Sequence, residues 1–125
     1  MSEIINTPQA PAAIGPYVQA RKWNQLLFTS GQIALDPQTA QIVAGGIEAQ
    51  TQQVLQNLQA ILQAAGSDSQ KVIKTVIFLK DMNDFATVNQ IYGDFFGSHK
   101  PARSTVEVAR LPKDVLIEIE CIAEC

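Results

Sequence analysis

Apolar side chains recur at three spacings along the 125 residues, and each spacing predicts a different kind of element. Ile47, Thr51, Val54, Leu55, Leu58, Ile61 and Leu62 fall on one stripe at helical period, with glutamines mostly facing away, which predicts a helix over 47–65. Gly66 follows, where a left-handed cap is expected. A second stripe, Phe85, Val88, Ile91, Tyr92, Phe95 and Phe96, predicts a helix over 84–96, begun by Asp81 or Asn83 and stopped by Gly97. Val72 to Lys80 is an almost unbroken β-branched and aromatic run, the mark of a central strand.

Elsewhere the spacing is two. A short strand is expected at 3–6. Tyr17 to Ala20 and Gln25 to Gly31 are expected as strands around the polar turn Arg21 to Asn24. A last pair, 103–109 and 115–123, flanks Leu111-Pro112-Lys113-Asp114. Residues 8–16 hold three prolines and predict an irregular loop, and Asp36-Pro37-Gln38-Thr39 predicts a turn. The resulting order, β-β-β-α-β-α-β-β, predicts one α+β domain over residues 1–125: a sheet of five or six strands with two helices on one face.

The last strand pair holds the chemistry. Side chains alternate across a strand, so Val115, Ile117, Ile119, Cys121 and Ala123 share a purely apolar face, which is expected under the helices. Leu116, Glu118, Glu120 and Ile122 share the other. Pairing the two strands as a hairpin, mixed face to mixed face, sets Arg103, Thr105 and Glu107 beside Glu118 and Glu120. Charges among residues that favour burial are costly unless paired or used. Two readings of that face stand side by side: a solvated sheet surface with ion pairs, or a subunit interface containing a polar pocket. Arg103 is accordingly either the ion-pair partner of Glu107 or Glu118, or the anchor of an anion site.

Composition narrows the field. Apolar residues make up 46%, enough for a core, and the net charge is −3. No Lys/Arg cluster exceeds two neighbours, so a nucleic-acid footprint is not expected. No apolar run approaches the ~20 residues of a membrane helix, and the N-terminus lacks a signal pattern. A cytoplasmic protein is expected. Cys121 and Cys125, on an extended C-terminus, would stand ~13 Å apart, too far for a disulfide. They are expected as free thiols, the first packed and the second fraying. His99 is the single histidine and is expected in a solvated loop. One His and two terminal Cys make no ordinary zinc site, and no relay motif surrounds His99.

Several separated blocks now converge. Pro101-Ala102-Arg103-Ser104, Leu111-Pro112 and Ile117-Glu118-Ile119 resemble the signature of the RidA family, also called YjgF or perchloric-acid-soluble protein. Gly15-Pro16-Tyr17, Thr29-Ser30-Gly31-Gln32-Ile33 and Asn83-Asp84-Phe85, with Asn89 after it, match its other blocks, over about residues 3–124. The resemblance implies a chorismate-mutase-like α+β fold and a homotrimer with three clefts between subunits. It implies hydrolysis of reactive enamines and imines, such as 2-aminoacrylate and 2-iminobutanoate, to 2-keto acids and ammonia, without a cofactor or metal.

Carried over by position, Arg103 would hold the substrate carboxylate, Glu118 would orient or activate water, and Tyr17 would close the cleft. Gly31 and the main chain of Thr105 would contact the ligand, with Asn89 nearby. Many relatives carry cysteine where this chain has Thr105, so no thiol role is expected there. Arginine suits a carboxylate because its fork donates two parallel hydrogen bonds. Two other roles remain beside the deaminase: an endoribonuclease or translation inhibitor, as reported for some relatives, and a non-catalytic small-carboxylate binder or chaperone.

Overall fold

The computed structural model describes residues 1–125. Six strands and two helices follow in the predicted order: β1 (Glu3–Ile5), β2 (Ala20–Trp23), β3 (Leu26–Thr29), α1 (Gly46–Ala64), β4 (Val72–Leu79), α2 (Phe85–Phe96), β5 (Ala102–Glu107) and β6 (Ile117–Glu124). Both helices form where the stripes place them. After α1, Gly66 adopts φ +77°, the Ser67 N–H reaches the Leu62 carbonyl at 2.8 Å and the Gly66 N–H reaches Gln63 at 3.0 Å. Those two bonds satisfy carbonyls that the helix end leaves open. Before α2, the Asp81 carboxylate accepts from the Asn83 N–H at 2.9 Å and starts a one-turn 3-10 segment, Met82–Asp84, that runs into the helix.

The first hairpin is displaced from its predicted position. Asn24 takes a left-handed φ of 54°, so Asn24 and Gln25 alone make the turn. Arg21 to Trp23 therefore belong to β2, and Tyr17 to Gln19 lie outside the sheet.

The larger correction concerns the last two strands. The sheet order is β1-β2-β3-β6-β4-β5, with every pair antiparallel except β4 and β5. Strands β5 and β6 are not a hairpin, because β4 lies between them. The physical reason is α2: a helix between β4 and β5 lets β5 return parallel to β4, as parallel neighbours require. The link 108–116 then crosses over the end of β4 and delivers β6 into the middle of the sheet.

The same register decides which residues share a face. Arg103 lies level with Thr75, and Thr75 with Cys121. The Thr75 and Tyr92 hydroxyls stand 2.6 Å apart, which fixes that side of the sheet as the helix side. Arg103, Thr105 and Glu107 thus point to the helix side, with Ile117, Ile119 and Cys121. Glu118 and Glu120 point the other way, level with Phe78 and Val76. The core is on the helix side, where Leu58, Ile61, Leu62, Ile77, Leu79, Ile117 and Ile119 are fully buried. Each such side chain contributes roughly 1.5–3 kcal/mol by leaving water. The opposite face carries exposed Phe28, Ile73 and Val106 beside the two glutamates.

The C-terminus does not fray: the Cys125 N–H donates to the Gln25 carbonyl at 2.9 Å. Cys121 and Cys125 are both free thiols, and Cys121 is buried, its pKa pushed up to about 11 by that burial. No helix is long and apolar enough to cross a membrane.

Candidate active site

Five of the six residues singled out above fall into two clefts rather than one, and the sixth, Thr105, lies outside both. The first belongs to β5 and α2. Arg103 is exposed on β5, the edge strand, and its Nη1 donates to Asn89 Oδ1 at 2.7 Å. Its guanidinium carbon stands 5.0 Å from the centroid of the Tyr92 ring and 5.5 Å from that of Phe85. One amide and two aromatic faces therefore aim the fork, and none of them neutralises it. The only ion pair in the chain is Arg110 with Asp114, so Arg103 pairs with neither Glu107 nor Glu118. Glu107 instead accepts the Met82 N–H at 2.8 Å. A cavity of about 440 Å³ opens beside Arg103, bounded by Asn89, Tyr92, Gly93, His99 and Lys100. Burial pushes the Tyr92 phenol up, against the Thr75 hydrogen bond and the Arg103 charge, which pull it down.

Asn89, expected near the ligand, spends its carbonyl on Arg103 and so orients the cation. His99 departs from the solvated histidine expected: it is half-buried, and its Nε2 lies 2.7 Å from the Val72 carbonyl. A carbonyl only accepts, so that nitrogen carries the proton.

The second cleft, about 670 Å³, lies on the other side of the sheet. Glu118 forms its floor, Gly31 and Ser30 one wall, and Ile14 and Tyr17 the other, with Gln19 behind them. The isolated bridge between Gln32 and Ile119 holds the Gly31 segment against β6. A methyl group on Gly31 would stand 2.8 Å from the Glu118 carboxyl carbon, closer than packing allows. Any side chain at this position would have to push the Glu118 carboxylate aside. Burial, and then the charge of Glu120, raise the Glu118 pKa above the ordinary carboxylate value. Tyr17 sits half-exposed at the mouth, after Gly15 at φ +128°.

Thr105 belongs to neither cleft. It follows Arg103 by two positions on the same face, and its hydroxyl is buried with no hydrogen-bond partner. As β5 is an edge strand, its outward main-chain groups are left without a neighbouring strand. Sequence reasoning missed Gln19, Tyr92 and Lys100. A glutamine and a lysine in loops carry no periodic signal, and Tyr92 was assigned wholly to the core.

Known proteins resemble this chain along nearly its whole length. A family profile described as Endoribonuclease L-PSP matches residues 7–125. The 2-iminobutanoate/2-iminopropanoate deaminase of Salmonella typhimurium is 56% identical over 126 residues, covering 98% of each chain. Reactive Intermediate Deaminase A of Arabidopsis thaliana, a chloroplastic protein, is 52% identical and covers 97% of this chain and 65% of its own. Among solved structures, the conserved Rid-family protein YyfA of Yersinia pestis superposes with a TM-score of 0.98 at 48% identity over the whole of both chains. E. coli TdcF with bound serine superposes at 0.94 with 49% identity, covering 98% of each. With the profile spanning all but the first six residues and these likenesses running end to end, the chain belongs to the Endoribonuclease L-PSP, or RidA, family.

Proposed function

We propose that the chain hydrolyses reactive 2-imino acids and their enamine tautomers, such as 2-iminobutanoate and 2-aminoacrylate, to 2-keto acids and ammonia. One observation carries the reading. The cation and the carboxylate that this chemistry needs are each built with care and each left without an ion-pair partner, on opposite faces of one sheet. The names of the Salmonella typhimurium and Arabidopsis thaliana relatives support it.

The two faces meet if copies of the chain associate. We infer a homotrimer in which Arg103 of one protomer reaches the Glu118 cleft of the next. The exposed Phe28, Ile73 and Val106 beside Glu118 and Glu120 support such an interface. The substrate carboxylate then lies on the Arg103 fork, held in orientation by Asn89, Tyr92 and Phe85. Glu118 takes a proton from water as the water oxygen attacks the imine carbon, and passes that proton to the nitrogen to give a neutral carbinolamine. Glu118 then accepts the carbinolamine hydroxyl proton and delivers it to the nitrogen as the carbon–nitrogen bond breaks, leaving the 2-keto acid carbonyl and free ammonia. Tyr17 closes the mouth, and the main chains of Gly31 and Thr105 hold the ligand.

An imine is already electrophilic, so the step asks for positioning and a proton carrier rather than a bound cofactor. Placing substrate and water together supplies a large part of the ~7–11 kcal/mol available to well-oriented reactants. A raised carboxyl pKa suits a group that must both accept and return a proton near neutrality. The proposed compartment is the cytoplasm, where pyridoxal-phosphate dehydratases release these species.

A threonine dehydratase coupled to the purified protein tests the reading. Ketobutyrate should appear faster than in buffer while an amine scavenger competes; equal rates remove the proposal. A non-catalytic carboxylate binder would saturate with 2-ketobutyrate and show no such acceleration. The endoribonuclease of the family's description is disfavoured by the −3 net charge and the lack of a basic cluster. RNA cleavage that survives both Arg103→Ala and repurification would reinstate it.

A further inference from the structure

One wall of the Glu118 cleft has no regular secondary structure, yet it is held in place. Between β1 and β2 the chain forms no helix and no strand, while Thr7 and Ala10 are buried. Buried main-chain groups in such a loop need partners that no ladder supplies. A single side chain supplies them. Gln19 is 1% exposed, and its Oε1 accepts from the Thr7 N–H at 2.8 Å. Its Nε2 lies 2.8 Å from the Pro11 carbonyl, 3.0 Å from that of Thr7 and 3.3 Å from that of Ala10. Two N–H bonds thus serve three carbonyls, so the amide has no donor left to offer a ligand.

The main chain of the same residue holds the facing wall. The Gln19 carbonyl accepts from the Ser30 N–H at 2.9 Å, one residue before Gly31. The Ser30 hydroxyl donates to the Val18 carbonyl at 2.6 Å. One residue therefore joins the loop that carries Ala12 and Ile14 to the end of β3 that carries Gly31, and both line the Glu118 cleft.

We propose that Gln19 is a positioning residue for this cleft, its side-chain amide setting the width between the 7–14 loop and Gly31 and so the place of Tyr17 at the mouth. It touches no reacting atom and acts through the loop. Among side chains of this shape, only the amide both donates and accepts at every pH: an ionised glutamate would turn negative oxygens toward three carbonyls, and leucine would leave every one of those groups unpaired. The kinetic consequence rests on the deaminase reading. Loss of the clamp weakens capture of the substrate and leaves proton transfer at Glu118 largely alone, so it raises KM more than it lowers kcat.

Gln19→Glu and Gln19→Leu in the full chain test this, with hydrogen exchange of residues 5–18 followed beside the kinetics. In the Gln19→Glu protein the introduced carboxyl, while protonated, keeps one donor and one acceptor, and burial raises its pKa. That variant should therefore match the unmodified chain at low pH, then show loop exchange and KM rising together as pH increases, by about tenfold in KM and less than about threefold in kcat. The unmodified chain should show no such coupled rise. Gln19→Leu should show the high KM at every pH. If that variant does not fold, the Gln19→Glu pH series alone decides.

An unchanged KM with a released loop, or an unchanged loop, overturns the proposal. If the unmodified chain shows no turnover, it is the deaminase reading that fails. The clamp is then judged by 2-ketobutyrate affinity, where a tenfold weakening of Gln19→Glu at high pH supports it and equal affinity overturns it.

Discussion

The Arg103 cleft and the Glu118 cleft are built from one sheet by opposite means. The cation stands at an exposed edge, aimed by one amide and two aromatic rings, and keeps its charge in contact with water. The carboxylate sits on a central strand, partly withdrawn from water, beside a second acid and against a glycine that yields it space. The difference teaches why they lie apart. Side by side on one face, an arginine and a glutamate would neutralise each other, and a substrate anion would have to displace a ready-made ion pair. On opposite faces neither is spent, and a second copy of the chain is the natural means of joining them.

The sharpest test asks whether the two clefts complete each other between chains. Arg103→Ala should lower kcat/KM by roughly 10²–10³-fold, in line with loss of a charge-assisted anchor, while thermal unfolding barely moves because Arg103 is exposed. Glu118→Gln should also be nearly inactive. Unfolding the two variants together and refolding them should restore about one quarter of the unmodified activity, since random mixing leaves that share of interfaces with both native groups. No recovery would mean that the groups act within one chain, and the contrast between the clefts would lose its purpose.

Gly31→Ala comes next. Its methyl group would push into the Glu118 carboxyl group from 2.8 Å and leave the Arg103 cleft untouched. We expect kcat to fall about 10–100-fold with KM within about threefold, since the displaced group belongs to the proton-transfer step. A large rise in KM with kcat preserved would place Glu118 in binding instead.

The pH dependence follows from the raised Glu118 pKa. A carboxyl whose folded pKa exceeds its unfolded one binds more protons when folded, so its effect on stability becomes more unfavourable as pH rises from the ordinary carboxylate range through the raised value. The Tm of Glu118→Gln should therefore gain on that of the unmodified chain as pH rises from the ordinary carboxylate range through the raised value, and stay level above it. In kcat, the unmodified protein should rise over the same limb as Glu118 deprotonates, and the variant should be flat. A parallel pair of Tm curves would show that Glu118 titrates as an ordinary surface acid.

The smallest effect belongs to Thr105, between the clefts. Its buried, unpartnered hydroxyl costs on the order of 1 kcal/mol, so Thr105→Val should raise the urea midpoint by a corresponding amount. A lower midpoint would reveal a partner for that hydroxyl.

Both helices, their ends and the central strand β4 were legible because each rests on a local rule. Leu55, Leu58 and Leu62 share a stripe whatever packs against them; Gly66 and Asp81 satisfy backbone groups within a few residues. The assignment of Ile117, Ile119 and Cys121 to the covered face held for the same reason, since alternation is a property of the strand alone. The family resemblance also proposed roles for Tyr17, Gly31, Asn89, Arg103, Thr105 and Glu118, and the variants above put those of Gly31, Arg103 and Glu118 to the test.

Their grouping was not legible. Alternation tells which residues of one strand share a face, but the sign relating two strands depends on what lies between them. The chain places β5 and β6 next to each other in sequence; the crossover through α2 and the insertion of β4 place Arg103 and Glu118 on opposite sides. Gln19 shows the same limit at a smaller scale, because a glutamine before a strand looks like any surface residue until the loop folds back over it. Sequence alone determined the elements, their buried faces and the chemical groups on offer, since these follow from nearest neighbours along the chain. Only the tertiary structure decided which groups stay apart and which share a cleft, because strand order and loop return are set by contacts between residues far apart in sequence.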